Sequence, residues 1–258
     1  MILSEIRAEA RRKLEGKWGK AVGLTLAYSF IFFVIGFIEG LFSESAQRVL
    51  QLITFVIEVP LVFGLIISLI KLYNNEDVKA FDVFTLGFNN FGKSWSITFK
   101  IFLKMLVPVI LLIVSYFLIT FGLVSTVSAS LYSYSAASGF SAILIVGLIL
   151  LIVSAIWTAV KSYYYQLSYI IAVEKPELSA NDVVLRSKEL MTGKRGKLFL
   201  LQLSFIGWSI LSVLTFGIGF LWLIPYINFA VIVFYKSLTD NSSGVKVEIE
   251  NDSPIKGE

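Results

Sequence analysis

Cysteine and histidine are both missing from this 258-residue chain. Their absence removes thiolate and imidazole nucleophiles, histidine general bases, Cys/His zinc sites, disulfides and haem ligation together. Charge is scarce too. Asp, Glu, Lys and Arg make up 16% of residues, against about 25% in an ordinary soluble domain. None of the apolar spans delimited below contains Asp, so an aspartyl dyad has no parts. Without His, neither a Ser-His pair nor an H-E-x-x-H zinc site can form. Nothing marks a Ser-Lys pair. The expectation is a protein that is not an enzyme and carries no cofactor and no metal.

What the chain does have is apolar surface. Hydrophobic residues reach 57%, aromatics 15%, and the mean hydropathy is +0.81. Soluble domains run at about 45–50% apolar, so the composition reads as an integral membrane protein. A helix needs roughly 20 apolar residues to cross a hydrocarbon layer. Four stretches meet this at residues 21–42, 49–73, 97–123 and 142–160. A fifth tract, 198–238, is too long for one crossing. Thr215-Phe216-Gly217-Ile218-Gly219 offers a turn within it, giving spans at 198–214 and 220–238. The expected fold is therefore all-α and polytopic, with six transmembrane helices in three hairpins. It forms a single membrane domain over 1–238 with an unstructured tail over 239–258.

The basic residues test that count. With both termini cytoplasmic, 21 of the 22 Lys and Arg fall on the inner side and only Arg48 lies outside. An odd number of spans would spoil this partition. The N-terminus does not read as a cleaved signal, because a basic arm of about 20 residues precedes a run of full span length. The expected location is the plasma membrane, multi-pass, with N- and C-termini inside.

Three short segments precede span pairs. Leu3 to Leu14 sets Leu3, Ile6, Ala10 and Leu14 at helical spacing among Arg7, Arg11, Arg12 and Lys13, a basic amphipathic helix suited to an anionic leaflet. Ser179 can cap a second helix with Ala180, Val183, Val184, Ser187, Leu190 and Met191 on one face. Between them, Glu76–Phe88 carries Val78, Phe81 and Phe84. The first two end alike, in Gly16-Lys17-Trp18-Gly19-Lys20 and Gly193-Lys194-Arg195-Gly196-Lys197; the third ends in Phe91-Gly92-Lys93-Ser94-Trp95. The simplest reading is a threefold repeat of interfacial amphipathic helix, Gly/Lys elbow and hairpin. Lys17, Trp18, Lys20, Lys93, Trp95, Lys194, Arg195 and Lys197 then act as interfacial anchors.

The last third adds Tyr163, Tyr169, Ala172, Glu174 and Pro176, then Ser187-Lys188-Glu189-Leu190-Met191, Gly193-Lys194 and Lys197-Leu198-Phe199-Leu200. Ser204-Phe205-Ile206-Gly207-Trp208, Gly217-Ile218-Gly219, Leu221-Trp222-Leu223 and Pro225-Tyr226 follow. With Gly16-Lys17-Trp18, this set resembles the bacterial integral membrane family known as domain of unknown function 975. The resemblance implies a polytopic bacterial plasma-membrane protein and carries over no catalytic residue.

Three further features bear on function. Gly87–Ser94 fits the phosphate-loop pattern G-x-x-x-x-G-K-[ST], but that loop needs a preceding strand and a soluble helix after it. It reads here as an elbow. Glu58 lies mid-span, two residues before Pro60, where a charge needs a partner. Lys100 and Lys104 share one face of the next span and are the candidates, giving either a structural salt bridge or a polar transport site. Gly36 and Gly40 form G-x-x-x-G, expected to pack within the fold, and Glu39 is expected to reach water. The leading functional expectation is a non-enzymatic membrane scaffold, envelope or stress factor, or partner-binding component. Its partners would be anionic lipid and another membrane protein, not nucleic acid. The second is a small-solute or ion transporter or channel centred on Glu58.

Overall fold

The computed structural model describes the backbone of residues 1–130 and 134–251, and side chains for 1–128 and 142–240. Helix makes up 85% of it, with no strand among the described residues. Eleven helices follow in order: α1 (Leu3–Leu14), α2 (Trp18–Glu39), α3 (Glu44–Tyr73), α4 (Asp82–Asn89), α5 (Phe91–Ser130), α6 (Tyr134–Tyr165), α7 (Ser168–Glu174), α8 (Ala180–Met191), α9 (Arg195–Leu203), α10 (Ile206–Leu214) and α11 (Phe220–Asn251). Six helical stretches are long and apolar enough to cross a membrane, the signature of a multi-pass membrane protein.

Span positions agree with the sequence, but their ends and breaks differ. The Ser-rich stretch left between the spans at 97–123 and 142–160 is mostly helical, because α5 continues to Ser130 and α6 begins at Tyr134. Ser and Ala lower hydropathy without stopping a helix. The fifth span is interrupted between α9 and α10 at Ser204 and Phe205. There Phe205 turns fully inward and meets Tyr226 edge-on at 4.9 Å. The backbone of α11 runs on to Asn251, past Thr239, where the expected tail begins; from 241 the side chains, and from 252 all atoms, lie outside the described residues.

Two compact bodies divide the chain, one of residues 1–98 with 167–258 and one of residues 99–166. In the second, α5 and α6 run antiparallel. A Cβ on Gly122 would sit 2.8 Å from Leu144 N, and one on Gly147 2.9 Å from Ile119 Cγ1. At the other end the Lys161 ammonium donates to Lys104 O at 3.2 Å. Glycine permits this approach, since in lipid close backbone packing replaces the hydrophobic drive.

The first body has a core of three helices: the second half of α3, the whole of α7, and α11. Phe63, Leu69, Ile171, Phe229 and Phe234 are fully buried there. Phe63 packs on Tyr169 at 5.1 Å and Tyr73 on Phe229 at 5.7 Å. The outward faces remain apolar: Phe30, Phe33, Phe37, Leu41, Leu52 and Leu214 are exposed, as lipid-facing residues should be.

The short helices settle a different question from the one their amphipathicity posed. Ile6, Ala10 and Leu14 of α1 are wholly buried, with α1 lying along α11. Val183, Val184, Ser187 and Met191 of α8 are buried likewise. Their apolar faces are covered by the chain itself and are not free to dip into lipid. α4 crosses α3 at glycines on both sides: a Cβ on Gly64 would lie 2.8 Å from Gly87 Cα, and one on Gly87 would strike Pro60 O. The G-x-x-x-G pair of α2 makes no close approach to another described helix. A Cβ on Gly36 meets nothing within 4 Å, and one on Gly40 meets only its own helix. Glu39, expected in water, accepts a hydrogen bond from Thr54 Oγ1 at 2.7 Å and ties α2 to α3.

These contacts predict where alanine is tolerated. Gly64→Ala and Gly87→Ala are expected to lower stability in detergent by about 1–3 kcal/mol through overpacking, while Gly36→Ala is neutral or better. Thermal unfolding of the three variants checks it; a Gly64→Ala protein as stable as wild type contradicts the crossing.

Candidate functional site

The elbows begin with backbone geometry. Leu14-Glu15-Gly16-Lys17 forms a type II turn: Glu15 has φ −55° and ψ 131°, Gly16 has φ +71°, and Lys17 N–H donates to Leu14 O at 2.8 Å. Met191-Thr192-Gly193-Lys194 repeats it. Thr192 has φ −64° and ψ 123°, Gly193 has φ +74°, and Lys194 N–H donates to Met191 O at 3.0 Å. The positive φ at the third position is why both copies hold glycine there.

The match extends along both flanks at a constant offset of 177 residues. Ile6 and Val183, Ala10 and Ser187, Leu14 and Met191, Ala21 and Leu198, and Leu24 and Leu201 are equivalent pairs, and all ten residues are buried. An offset of 73 brings in the middle segment. Ala10, Leu14, Ala21 and Leu24 correspond to Val83, Gly87, Ser94 and Ile97, again all buried. Thr25 and Thr98 correspond as well, each donating its hydroxyl to the carbonyl four residues back. The middle elbow keeps the Asn90 N–H to Gly87 O bond, at 3.1 Å, but has no residue of positive φ, since Asn89 stays within α4.

In this register Lys20, Lys93 and Lys197 are one position, and each reaches the entry of the next short helix. The Lys20 ammonium pairs with Asp77 at 2.5 Å, ahead of α4. Lys93 donates to Ala172 O at 3.0 Å and Pro176 O at 2.9 Å, ahead of α8. Lys197 donates to Met1 O at 2.6 Å, ahead of α1. First binds second, second binds third, third binds first. The three links close a ring around one end of the first body.

With this ring described, the chain can be set beside known proteins. The family described as Protein of unknown function (DUF975) matches residues 1–242. The chain belongs to the DUF975 family. Neither the curated proteins nor the solved structures offer a match. The family assignment therefore brings no activity with it, and roles in this DUF975 protein must be read from its own side chains.

The other predicted anchors divide by role. Lys17 donates to Leu72 O at 2.9 Å, capping an end carbonyl of α3. Desolvation there pushes its ammonium below the ordinary lysine range, with the Lys13 charge adding to the shift. Trp18 packs edge-on against Tyr226. Trp95 does more than mark the interface. Pro60 has no N–H to give to the Val56 carbonyl one turn earlier, and the Trp95 indole N–H donates to Val56 O instead, at 3.2 Å. Lys194 is exposed at the first residue of the α9 elbow, and Arg195 is half-buried beside it. The phosphate-loop pattern is absent in space: Gly87 is inside α4 against Pro60, Phe91–Ser94 begins α5, and the pattern's lysine, Lys93, is bonded to carbonyls.

Glu58 is exposed on α3 and makes no hydrogen bond or ion pair among the described residues of its own body. Lys100 and Lys104 belong to the other body, which contains no acidic residue. The cyclic pairing and the Trp95 bond carry no sequence signature beyond the Gly-Lys repeat and the proline itself.

Two predictions follow from the elbow geometry. Gly16→Ala and Gly193→Ala are expected to cost about 1–2 kcal/mol each because their φ is positive, whereas Gly19→Ala and Gly196→Ala, in helices with open space around them, cost nothing; chemical or thermal unfolding separates the pairs. Within the ring, Lys93→Met strands two carbonyls and should cost about 1–2 kcal/mol, more than Lys20→Gln. The hydrogen bond and charge of Lys20 hold the Asp77 carboxyl below its usual range. A depressed carboxyl stabilises above its unfolded value of about 3.9 and loses that contribution as pH falls through the folded value. The difference between wild type and Lys20→Gln in amide exchange at the start of α4 should hold from neutral pH to about 4 and vanish at more acidic pH.

Proposed function

We propose that this protein is a non-enzymatic component of a bacterial plasma membrane, acting as a scaffold for anionic lipid and a partner membrane protein. The ring carries this reading. Three short helices are fixed by Lys20, Lys93 and Lys197 into a rigid platform; α1 and α8 turn their apolar sides inward, while α4 buries Val83 and Gly87 and leaves Phe81 and Phe88 exposed. Their polar faces, including Arg12, Lys188 and Glu189, point outward. Such a platform suits docking, because its surface is ordered before a partner arrives. The ring end is also where the basic residues cluster, which supports a cytoplasmic placement of the N-terminus and of the short helices.

The core offers less to transport. Helices α3, α7 and α11 bury mainly Phe, Leu and Ile; Ser68 of α3 donates to Gly64 O at 2.8 Å, and the polar groups beside them are the buried Ser168 hydroxyl of α7 and the ion pair of Lys236 with Glu174. Glu58 lies on the outer face of α3 rather than within that core.

Two measurements test the reading. Because the chain has no cysteine, single substitutions report sidedness cleanly: in intact cells an impermeant maleimide should label Ser45→Cys and spare Glu15→Cys. In proteoliposomes the full chain should leave ion and solute gradients intact, with Glu58→Gln as stable as wild type. A gradient that the wild type dissipates and Glu58→Gln preserves would overturn the scaffold in favour of transport.

A further inference from the structure

A cleft of about 600 Å³ opens beside α1, within the size range of small-ligand sites. Three helical stripes line it. From α10 and its C-cap come Trp208, Leu211, Ser212 and Thr215, and from α11 and the residue before it Gly219, Trp222, Leu223 and Tyr226, each set at i, i+3, i+4 and i+7. Ser4, Arg7 and Arg11 come from α1, and Trp18 from the start of α2. One end is therefore cationic and the long wall is aromatic and aliphatic.

The cationic end lacks a counter-charge. No Asp or Glu lines the cleft, and neither Arg7 nor Arg11 forms an ion pair among the described residues. Arginines four apart on a helix repel each other. The Arg7 Nε is buried without a hydrogen-bond partner. Tyr226 holds α1 in place by donating to Arg7 O at 3.3 Å, leaving the guanidinium directed elsewhere. From Trp208 to Thr215 the wall extends about 10 Å, at 1.5 Å per helical residue.

The repeat provides an independent comparison. At the offsets of 177 and 73, Arg7 corresponds to Val184 and Ala80, and Arg11 to Lys188 and Phe84. Trp18 corresponds to Arg195 and Phe91. The elbow scaffold is built twice without two arginines and a tryptophan, so the fold does not require them in the first copy.

We infer that this cleft is a discrete binding site for one anionic amphiphile, a phospholipid whose phosphate meets Arg7 and Arg11 and whose acyl chain lies along Trp208, Leu211 and Trp222. Guanidinium groups recognise phosphate oxygens through directed, charge-assisted bonds. The exposed indoles supply apolar length that a free phosphate would leave unused. The inference rests on the proposed cytoplasmic placement of α1 beside anionic lipid, and adds to the general lipid affinity of that surface a single stoichiometric site.

Brominated-chain phosphatidylglycerol and phosphatidylcholine, titrated into the full chain in detergent, report occupancy by quenching the tryptophans on the wall. Saturable quenching by phosphatidylglycerol is expected, about tenfold tighter than by phosphatidylcholine. Arg7→Gln with Arg11→Gln should erase that preference; Arg7→Lys with Arg11→Lys should keep part of it; Lys194→Gln should leave it unchanged. Leu211→Ser shortens the exposed apolar wall while keeping every tryptophan as reporter, and should weaken binding even if the arginine variants fold poorly. Equal quenching by both lipids, or a preference that survives loss of both arginines in a folded protein, overturns the site. Full competition by inorganic phosphate alone overturns the amphiphile and leaves an anion pocket. If maleimide labelling puts Glu15→Cys outside while the phosphatidylglycerol preference persists, the proposed orientation fails and the site stands.

Discussion

The ammonium of a lysine at the start of a membrane helix must end near water or against oxygen, and in this chain that constraint organises the whole first body. Lys20, Lys93 and Lys197 occupy one position of a repeat, and each finds its oxygen in the segment that leads into the next short helix. An ammonium has three donors, and helix C-termini leave carbonyls without partners. Ala172 O, taken by Lys93, lies in the last turn of α7, and Leu72 O, taken by Lys17, in the last turn of α3. The lysines that mark where spans enter the membrane thus also cap where later helices finish. Positive charge at a helix C-terminus is favourable in itself, so one contact satisfies geometry, hydrogen bonding and the helix dipole.

The ring explains why the amphipathic segments fold inward. Amphipathicity requires that an apolar stripe be covered; it does not say by what. In Leu3–Leu14 the stripe of Ile6, Ala10 and Leu14 has small and medium side chains, which let α1 sit close on α11. A lipid surface would have covered the same stripe equally well on the evidence of spacing alone. What decides is the link at each end: a type II turn fixes where α1 meets α2, and Lys197 holds Met1, just ahead of its first turn. With both ends tied, the stripe has one place to go.

Legibility in the sequence follows the range of the forces involved. Six spans could be read because hydropathy is summed over about 20 residues and tolerates local error. The repeat could be read at Gly16-Lys17 and Gly193-Lys194 because a positive φ forces glycine. The break at Ser204–Phe205 could not, since Phe205 sits in an apolar run and its inward turn depends on Tyr226 being opposite. The partner of Lys20 was hidden for the same reason: Asp77 is 57 residues away and is brought near by α3. Trp95 shows both halves. An interfacial tryptophan was evident, yet its bond to Val56 O depends on Pro60 freeing that carbonyl in another helix.

Where a repeat departs from itself is informative about use. Residues kept in all three copies, such as Gly19-Lys20, Gly92-Lys93 and Gly196-Lys197, answer the shared problem of entering the membrane and closing the ring. Residues peculiar to one copy must answer something else, either a local packing difference or a task. Gly87, where the other copies have Leu14 and Met191, is of the first kind, because α4 crosses α3 with no room for a Cβ. Arg7 and Arg11 are of the second. Among the described residues they make no ion pair, and they stand together against mutual repulsion with the Arg7 Nε buried and without a hydrogen-bond partner. Stability alone would favour replacing at least one of them, as the third copy does with Val184. Their presence is accounted for when an anion is part of the structure they serve.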